Sequence, residues 1–106
     1  MNKQDAVIRK IKKLARKEFP ESEIFLYGSR ARGDNQNDSD WDLLVLLDTP
    51  EISFNRETKI INDFYELELD LGEAFSPLIY RKSDWEEKYL HTPLFENISR
   101  EGIRIK

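Results

Sequence analysis

The sequence predicts an α/β chain, in which amphipathic helices alternate with short apolar strands. Residues 3–19 and 54–71 carry apolar side chains at helical spacing. The apolar runs at 23–28 and 41–47 are too short for typical helices and are bounded by glycine or polar residues, which is typical of buried strands. With 106 residues, the chain is expected to form one domain, residues 1–106, around one core.

The first half of the chain begins with the helix at 3–19, which ends at Pro20. Its lysine and arginine residues are interpreted as the solvated face of an amphipathic helix. The strand at 23–28 then leads into a glycine–serine turn. A short helix over residues 29–32 and a polar loop over 33–39 complete this half.

The middle of the chain predicts the centre and one edge of a sheet. The strand at 41–47 is apolar on both faces and is therefore expected to be central. The helix at 54–71 should stop at Gly72, a typical residue for a helix C-terminus. The strand at 75–81 contains Pro77, which cannot donate to a strand ladder, so this strand is expected at an edge or with a bulge.

The C-terminal part predicts two short helices and a last strand. A capping box that begins at Ser83 should open a helix that runs to about Leu90. Thr92 is expected to cap a further helix, with proline at its first position, that ends near Glu101. Residues 103–105 are predicted to add a short strand.

The charge balance limits the function classes. The chain has 17 basic and 21 acidic residues, a net charge of −4 and a pI of about 5.1. This balance argues against binding of a long nucleic acid as the main task, because such binding depends on neutralising phosphates. The chain has no cysteine, no apolar run long enough to span a membrane and no signal-like N-terminus. A cytoplasmic location and no membrane contact are therefore expected.

The residues with the clearest chemistry lie at the ends of the first two predicted strands. Asp40 and Asp42 are two residues apart, so they point to the same side of an extended chain, about 7 Å apart. Two such carboxylates repel each other unless a cation lies between them, and hard oxygen ligands suit Mg²⁺. The Gly28-Ser29 turn offers backbone N–H groups, a hydroxyl and close approach, as a phosphate requires.

The spacing of these residues resembles a known family. Gly28-Ser29, followed after ten residues by Asp40-Trp41-Asp42, is similar to the motif of the DNA polymerase β-type nucleotidyltransferase superfamily. The arginine-rich segment over residues 28–33 resembles that of the smallest members, the minimal nucleotidyltransferases (MNT). The alternative is a polar hairpin loop between two strands, without a function in catalysis.

The resemblance implies an α/β (α+β) nucleotidyltransferase fold, with a small mixed β-sheet and helices packed mainly on one face. It implies that Asp40 and Asp42 are catalytic and hold Mg²⁺. It also implies a set of residues that contact the nucleotide, namely Gly28, Ser29, Arg30 and Arg32. The alternative for the two arginines is a surface ion pair with acidic residues of the neighbouring loop.

A third acidic residue usually completes the catalytic site in this superfamily, on the strand that follows the long helix. The nearest acids here are Glu73 and Asp70, and Glu73 is expected to be the catalytic base because it begins that strand. Asp70 is the alternative, and Ser76 occupies the expected position if the motif is aligned on the strand. A missing base would slow proton transfer by about 10²–10⁴-fold.

The resemblance also implies a partner. In the MNT family the partner is typically a helical HEPN toxin, so the expected function is an antitoxin that transfers AMP from ATP to a hydroxyl on that toxin. The alternatives are a binding module that has kept the fold but neutralises its partner by contact alone, and a nucleotide-binding regulatory subunit. The sequence leaves the nucleotide and the oligomeric state open.

Overall fold

The computed structural model describes residues 2–106, which form a four-stranded mixed sheet with five helices. The strand order is β3-β2-β1-β4. In chain order the elements are α1 (Lys3–Glu18), β1 (Ser22–Tyr27), α2 (Ser29–Arg32), β2 (Trp41–Leu47), α3 (Phe54–Leu71), β3 (Phe75–Arg81), α4 (Lys82–Lys88), α5 (Pro93–Glu101) and β4 (Ile103–Arg104).

The strand β2 lies in the middle of the sheet, as its apolar composition predicts. It pairs antiparallel with β1 and parallel with β3, and the helix α3 makes the crossover between the two parallel strands. β3 lies at an edge, which confirms the interpretation of Pro77. The N–H of Trp41 donates to the carbonyl of Ala74, so the backbone of Ala74 faces β2. The backbone groups of successive strand residues face opposite sides, so those of Pro77 face away from β2.

The two faces of the sheet carry separate apolar clusters. α1 and α3 cover one face, where Phe19 and Phe64 pack around the odd-numbered side chains of β2, which include Trp41. α4 and α5 lie against the other face, where Trp85 and Ile98 meet the even-numbered side chains of β2. The mixed sheet and its two long helices on one face confirm the predicted fold class. Within residues 2–106, no helix combines the length and the hydropathy needed to cross a bilayer.

The helix ends follow the predicted caps in two places. Gly72 closes α3 in the left-handed region, with φ of 70°, and its N–H donates to the carbonyl of Glu68. The hydroxyl of Thr92 accepts a hydrogen bond from the N–H of Phe95 at the start of α5. These caps fix where the chain turns towards β3 and back across the sheet.

The predicted capping box at Ser83 is wrong. α4 begins one residue earlier, at Lys82, and its N-cap residue Arg81 makes no side-chain capping bond. The carboxylate of Asp84 instead accepts two hydrogen bonds from the guanidinium of Arg81. Because β3 runs directly into α4 without a loop, no residue is free to cap the helix in the usual geometry.

Candidate active site

The turn between β1 and α2 forms one wall of the candidate site. Gly28 adopts φ of 76°, and its carbonyl accepts hydrogen bonds from the N–H groups of Ala31 and Arg32. A Cβ atom at Gly28 would lie 2.3 Å from Oδ2 of Asp42. Both the backbone conformation and the space therefore require glycine at this position.

Sheet pairing brings the aspartates to this turn. In the register between β1 and β2, Tyr27 lies opposite Asp42, so the chain reverses at Gly28 directly beside the carboxylate. Asp40 precedes β2 by one residue, and one of its oxygens accepts a hydrogen bond of 2.9 Å from the hydroxyl of Ser76. Strand alternation places both carboxylates on the face opposite Trp41.

Charge and burial act together on Asp42. Partial burial raises the pKa of its carboxyl above the ordinary value of 3.8, and the negative charge of Asp40 raises this pKa further. The guanidinium of Arg32 lowers the pKa in part, while Glu101 at the end of α5 adds to the rise. The two aspartates are thus close enough to repel each other, which is the electrostatic condition that a bound cation would relieve.

The donor set fits a magnesium ion that is shared with a nucleotide. Among residues 2–106, no group of three or more His, Cys, Asp or Glu side chains could hold a metal by itself. Two carboxylates, of Asp40 and Asp42, remain available. Mg²⁺ is usually bound in proteins through one or two carboxylates together with substrate phosphates, so a pair of aspartates beside the Gly28 turn fits this pattern.

Arg30 does not lie where a nucleotide contact would require it. Its side chain is buried and donates to the carbonyls of Asn37 and Ser39, at 3.2 Å and 2.9 Å. The guanidinium also stacks over the ring of Trp41, 4.5 Å from its centroid. We therefore assign Arg30 a structural role, in which it ties the loop in front of Asp40 to α2.

Arg32 remains accessible beside Asp42, whose pKa its charge lowers. Its side chain is about half exposed and forms ion pairs with Asp34, at 3.0 Å, and with Glu101, at 2.8 Å. The pair with Asp34 is the surface ion pair with a loop acid that the sequence analysis gives as the alternative to a nucleotide contact. Glu101 has no place in the motif, and only the fold brings the end of α5 to the site, so no sequence signal could have identified it.

Glu73 lies away from the two aspartates. Its buried carboxylate pairs with Lys3 at 2.6 Å and lies 3.8 Å from the guanidinium of Arg30. It is two residues from Phe75, which pairs with Trp41, so it belongs to the opposite face of the sheet from Asp42. This placement corrects the interpretation of Glu73 as the catalytic base.

Ser76 lies beside the two aspartates. In the parallel register it lies directly beside Asp42, and its hydroxyl donates to Asp40. The alternative acid, Asp70, is an exposed residue of the last turn of α3. Tyr27 borders the same corner, and burial, with the nearby charge of Asp42, raises its pKa to about 12, so its phenol stays protonated at neutral pH.

Comparison with known proteins identifies the family. A sequence model of the nucleotidyltransferase domain matches residues 8–102. The chain belongs to the nucleotidyltransferase domain family. Its reaction class is accordingly nucleotidyl transfer, which the resemblance of its motif to the nucleotidyltransferase superfamily implies. A relative from Methanocaldococcus jannaschii, named as a candidate protein adenylyltransferase, is 29% identical over 83 residues, which cover 77% of this chain and 76% of the relative.

Solved structures share the fold of this nucleotidyltransferase. A toxin–antitoxin crystal structure with AMP-PNP matches with a TM-score of 0.68 and 22% identity, over 93% of this chain and 72% of that one. A complex of a tri-AMPylated Shewanella oneidensis HEPN toxin with an MNT antitoxin matches with a TM-score of 0.64 and 20% identity, over 97% and 71% of the two chains. At these identities the likeness shows the shared fold.

The raised pKa of Asp42 predicts that this residue destabilises the metal-free protein. Above the folded pKa the carboxylate is ionised and the fold bears the cost of its burial and repulsion. This cost decreases as the pH falls through the raised pKa that Asp42 has in the folded protein, and it is gone below the ordinary value of 3.8, where the carboxyl is protonated in the folded and the unfolded chain. Asp42→Asn should therefore raise the Tm at pH 7 by about 2–4 °C, and the two melting temperatures should converge below pH 3.8.

Thermal unfolding followed by circular dichroism, from pH 3 to pH 8 without divalent metal, measures this difference. Asp38→Asn is the matched control, because Asp38 is an exposed residue of the preceding loop. A lower Tm for Asp42→Asn at pH 7 would mean instead that the carboxylate has a stabilising structural role.

Proposed function

We propose that this nucleotidyltransferase transfers AMP from Mg²⁺-ATP to a hydroxyl group on a partner protein of the HEPN type, and so acts as an antitoxin. The observation that carries the proposal is the contact of the Gly28 turn with the carboxylate of Asp42, with Asp40 on the same face. The name of the archaeal relative and the AMPylated HEPN toxin among the complexes of similar fold support the choice of adenylyl group and acceptor.

Each residue at the site has a defined task in this proposal. Asp40 and Asp42 would hold Mg²⁺, which when bound neutralises charge on the phosphates of the nucleotide. The backbone of Gly28 permits the close approach of those phosphates, and Ser29 supplies an N–H group and a hydroxyl. Arg32 is positioned to exchange its ion pair with Glu101 for a phosphate oxygen.

The transfer itself forms one bond to the α-phosphorus and breaks one. The acceptor oxygen bonds to the α-phosphorus, pyrophosphate leaves, and the acceptor hydroxyl releases its proton. The hydroxyl of Ser76 donates a hydrogen bond to Asp40 and is a poor base, so we assign the acceptance of the proton to a group of the acceptor protein or to a water molecule. The contribution of this chain is positioning and electrostatic stabilisation, which supply much of the rate enhancement in phosphoryl-group transfers.

A second candidate function is neutralisation of the partner by binding alone. The specific observation in its favour is Ser76, whose hydroxyl lies beside Asp42 in the strand register and donates to Asp40, where the resemblance leads us to expect a third acid. A chain that lost turnover in this way would keep the two aspartates and the turn and would still bind a nucleotide.

Isothermal titration calorimetry tests the nucleotide site. The wild type should bind ATP in the presence of Mg²⁺, and Asp42→Asn should weaken that binding at least tenfold, since one of two metal ligands is lost. Asp38→Asn, with the same change of charge in the exposed loop, should bind as the wild type does. Equal affinity of the wild type and Asp42→Asn would refute the assignment of the metal site.

An assay with labelled ATP, Mg²⁺ and a HEPN-type toxin distinguishes the two functions. A catalyst labels a hydroxyl on the HEPN protein, and Ser76→Asp should raise the labelling rate at least tenfold by restoring a third carboxylate. Ser76→Asn, of similar size without the charge, is the matched control. A wild type that silences the HEPN protein without labelling it, together with a Ser76→Asp variant that labels it, would establish the binding function.

A further inference from the structure

The outer side of α3 carries a line of large apolar side chains in solvent. Phe54, Ile61, Tyr65 and Leu69 are 80%, 47%, 56% and 69% exposed. Their spacing of seven, four and four residues places them on one side of the helix, away from the buried Ile60 and Phe64. We call these four residues the α3 stripe, which extends for about 22 Å along the helix.

The α3 stripe has the composition of a binding surface. Scattered apolar residues are normal on a protein surface, but an aligned set of four large side chains is not. Two of them, Phe54 and Tyr65, are aromatic, and aromatic side chains are enriched among the residues that dominate binding energy. No element within residues 2–106 covers the stripe, as the exposure of all four side chains shows.

The charges around the stripe select the partner. α3 has five acidic and two basic residues. Both basic residues are engaged within the chain, Arg56 with Glu21 and Lys59 with Glu18 and Asp63. The acidic residues that remain exposed around the stripe are Glu57, Glu66 and Asp70. Two copies of this chain joined through their stripes would bring like charges together, which opposes association.

The free edge of β3 beside α3 is unsuited to strand addition. Pro77 has no N–H group, and the N–H of Phe75 is already bonded to the carboxylate of Glu68 at 2.7 Å. Both residues turn their backbone away from β2, so they define the exposed edge. A partner on this side of the molecule therefore contacts side chains of α3 and does not extend the sheet.

We propose that the α3 stripe docks a partner protein through an apolar helix face that is flanked by lysine and arginine residues. The apolar face matches the four exposed side chains, and the basic flanks match Glu57, Glu66 and Asp70. Leu69 lies at the C-terminal end of α3, close to the start of β3, which is the end of the sheet that holds Asp42 and Ser76. The stripe is nevertheless separate from the candidate active site, because α3 covers the face of the sheet that carries Trp41 and Asp42 lies on the other face. The docking surface therefore does not depend on the transfer reaction.

Two designed peptides test this surface. Both form amphipathic helices with a leucine stripe, flanked by lysines in one peptide and by glutamates in the other. Fluorescence anisotropy should show saturable binding of the lysine peptide to the full chain, and binding of the glutamate peptide at least tenfold weaker. Tyr65→Ser and Leu69→Ser should each weaken binding of the lysine peptide at least tenfold.

Leu90→Ser is the matched control, because Leu90 is another exposed apolar residue, 44% accessible, outside α3. It should bind the lysine peptide with wild-type affinity. Binding of Mg²⁺-ATP to each variant verifies that the nucleotide site is intact. Loss of peptide binding can then be told apart from loss of nucleotide binding, on which the proposed function depends. The proposal is overturned if the lysine peptide does not bind, or if it binds Tyr65→Ser and the wild type equally.

Analytical ultracentrifugation of the chain alone tests whether the α3 stripe binds a second copy of the chain. The wild type should remain monomeric at concentrations up to about 100 μM, a range in which weak specific dimers form. A concentration-dependent oligomer that Tyr65→Ser abolishes and Leu90→Ser retains would contradict the proposal, because it would show that the stripe binds another copy of this chain.

Discussion

The close approach of the Gly28 backbone to the carboxylate of Asp42 is the constraint on which the site depends. The antiparallel register of β1 and β2 sets this approach, since Tyr27 lies opposite Asp42 and the chain must turn immediately afterwards. A side chain at Gly28 would collide with Asp42, and the backbone there has φ of 76°. The turn and the carboxylates are therefore held together by the pairing of β1 with β2.

Two surrounding residues support this arrangement. Arg30 fixes the loop before Asp40 through two carbonyls and the ring of Trp41. Ser76, on the neighbouring parallel strand, orients Asp40 by a hydrogen bond. The arrangement keeps the partly buried carboxylate of Asp42 beside the like charge of the exposed Asp40, and such perturbed carboxylates are common at functional sites.

The sequence predicts the fold and the centre of the site because both depend on local patterns. Apolar residues on both faces predict that β2 is central, and the proline in β3 predicts an edge. The spacing between the Gly28-Ser29 turn and the aspartates identifies the family, because that spacing is the length of one strand-to-strand connection.

The predictions that fail concern side chains whose partners are distant in the chain. The sequence does not distinguish Arg30 from Arg32 as nucleotide contacts. In the fold, Arg30 turns inward to backbone carbonyls and Arg32 turns outward to Glu101. Glu73 is adjacent to the right strand, but its position relative to Phe75 sends it to the opposite face, where Lys3 pairs with it. Glu101 enters the site only because α5 packs across the sheet, and no motif records that packing.

The central claim is that metal and nucleotide meet between the Gly28 turn and the two aspartates. Nuclear magnetic resonance with Mn²⁺-ATP in place of Mg²⁺-ATP tests it most directly, because the unpaired electrons of Mn²⁺ broaden the signals of nearby amides. We expect the amides of Gly28, Ser29, Asp42 and Ser76 to be lost first, and the amide of Lys13 on α1 to persist. Broadening centred on Asp70 and Glu73, or broadening that does not depend on ATP, would contradict the account.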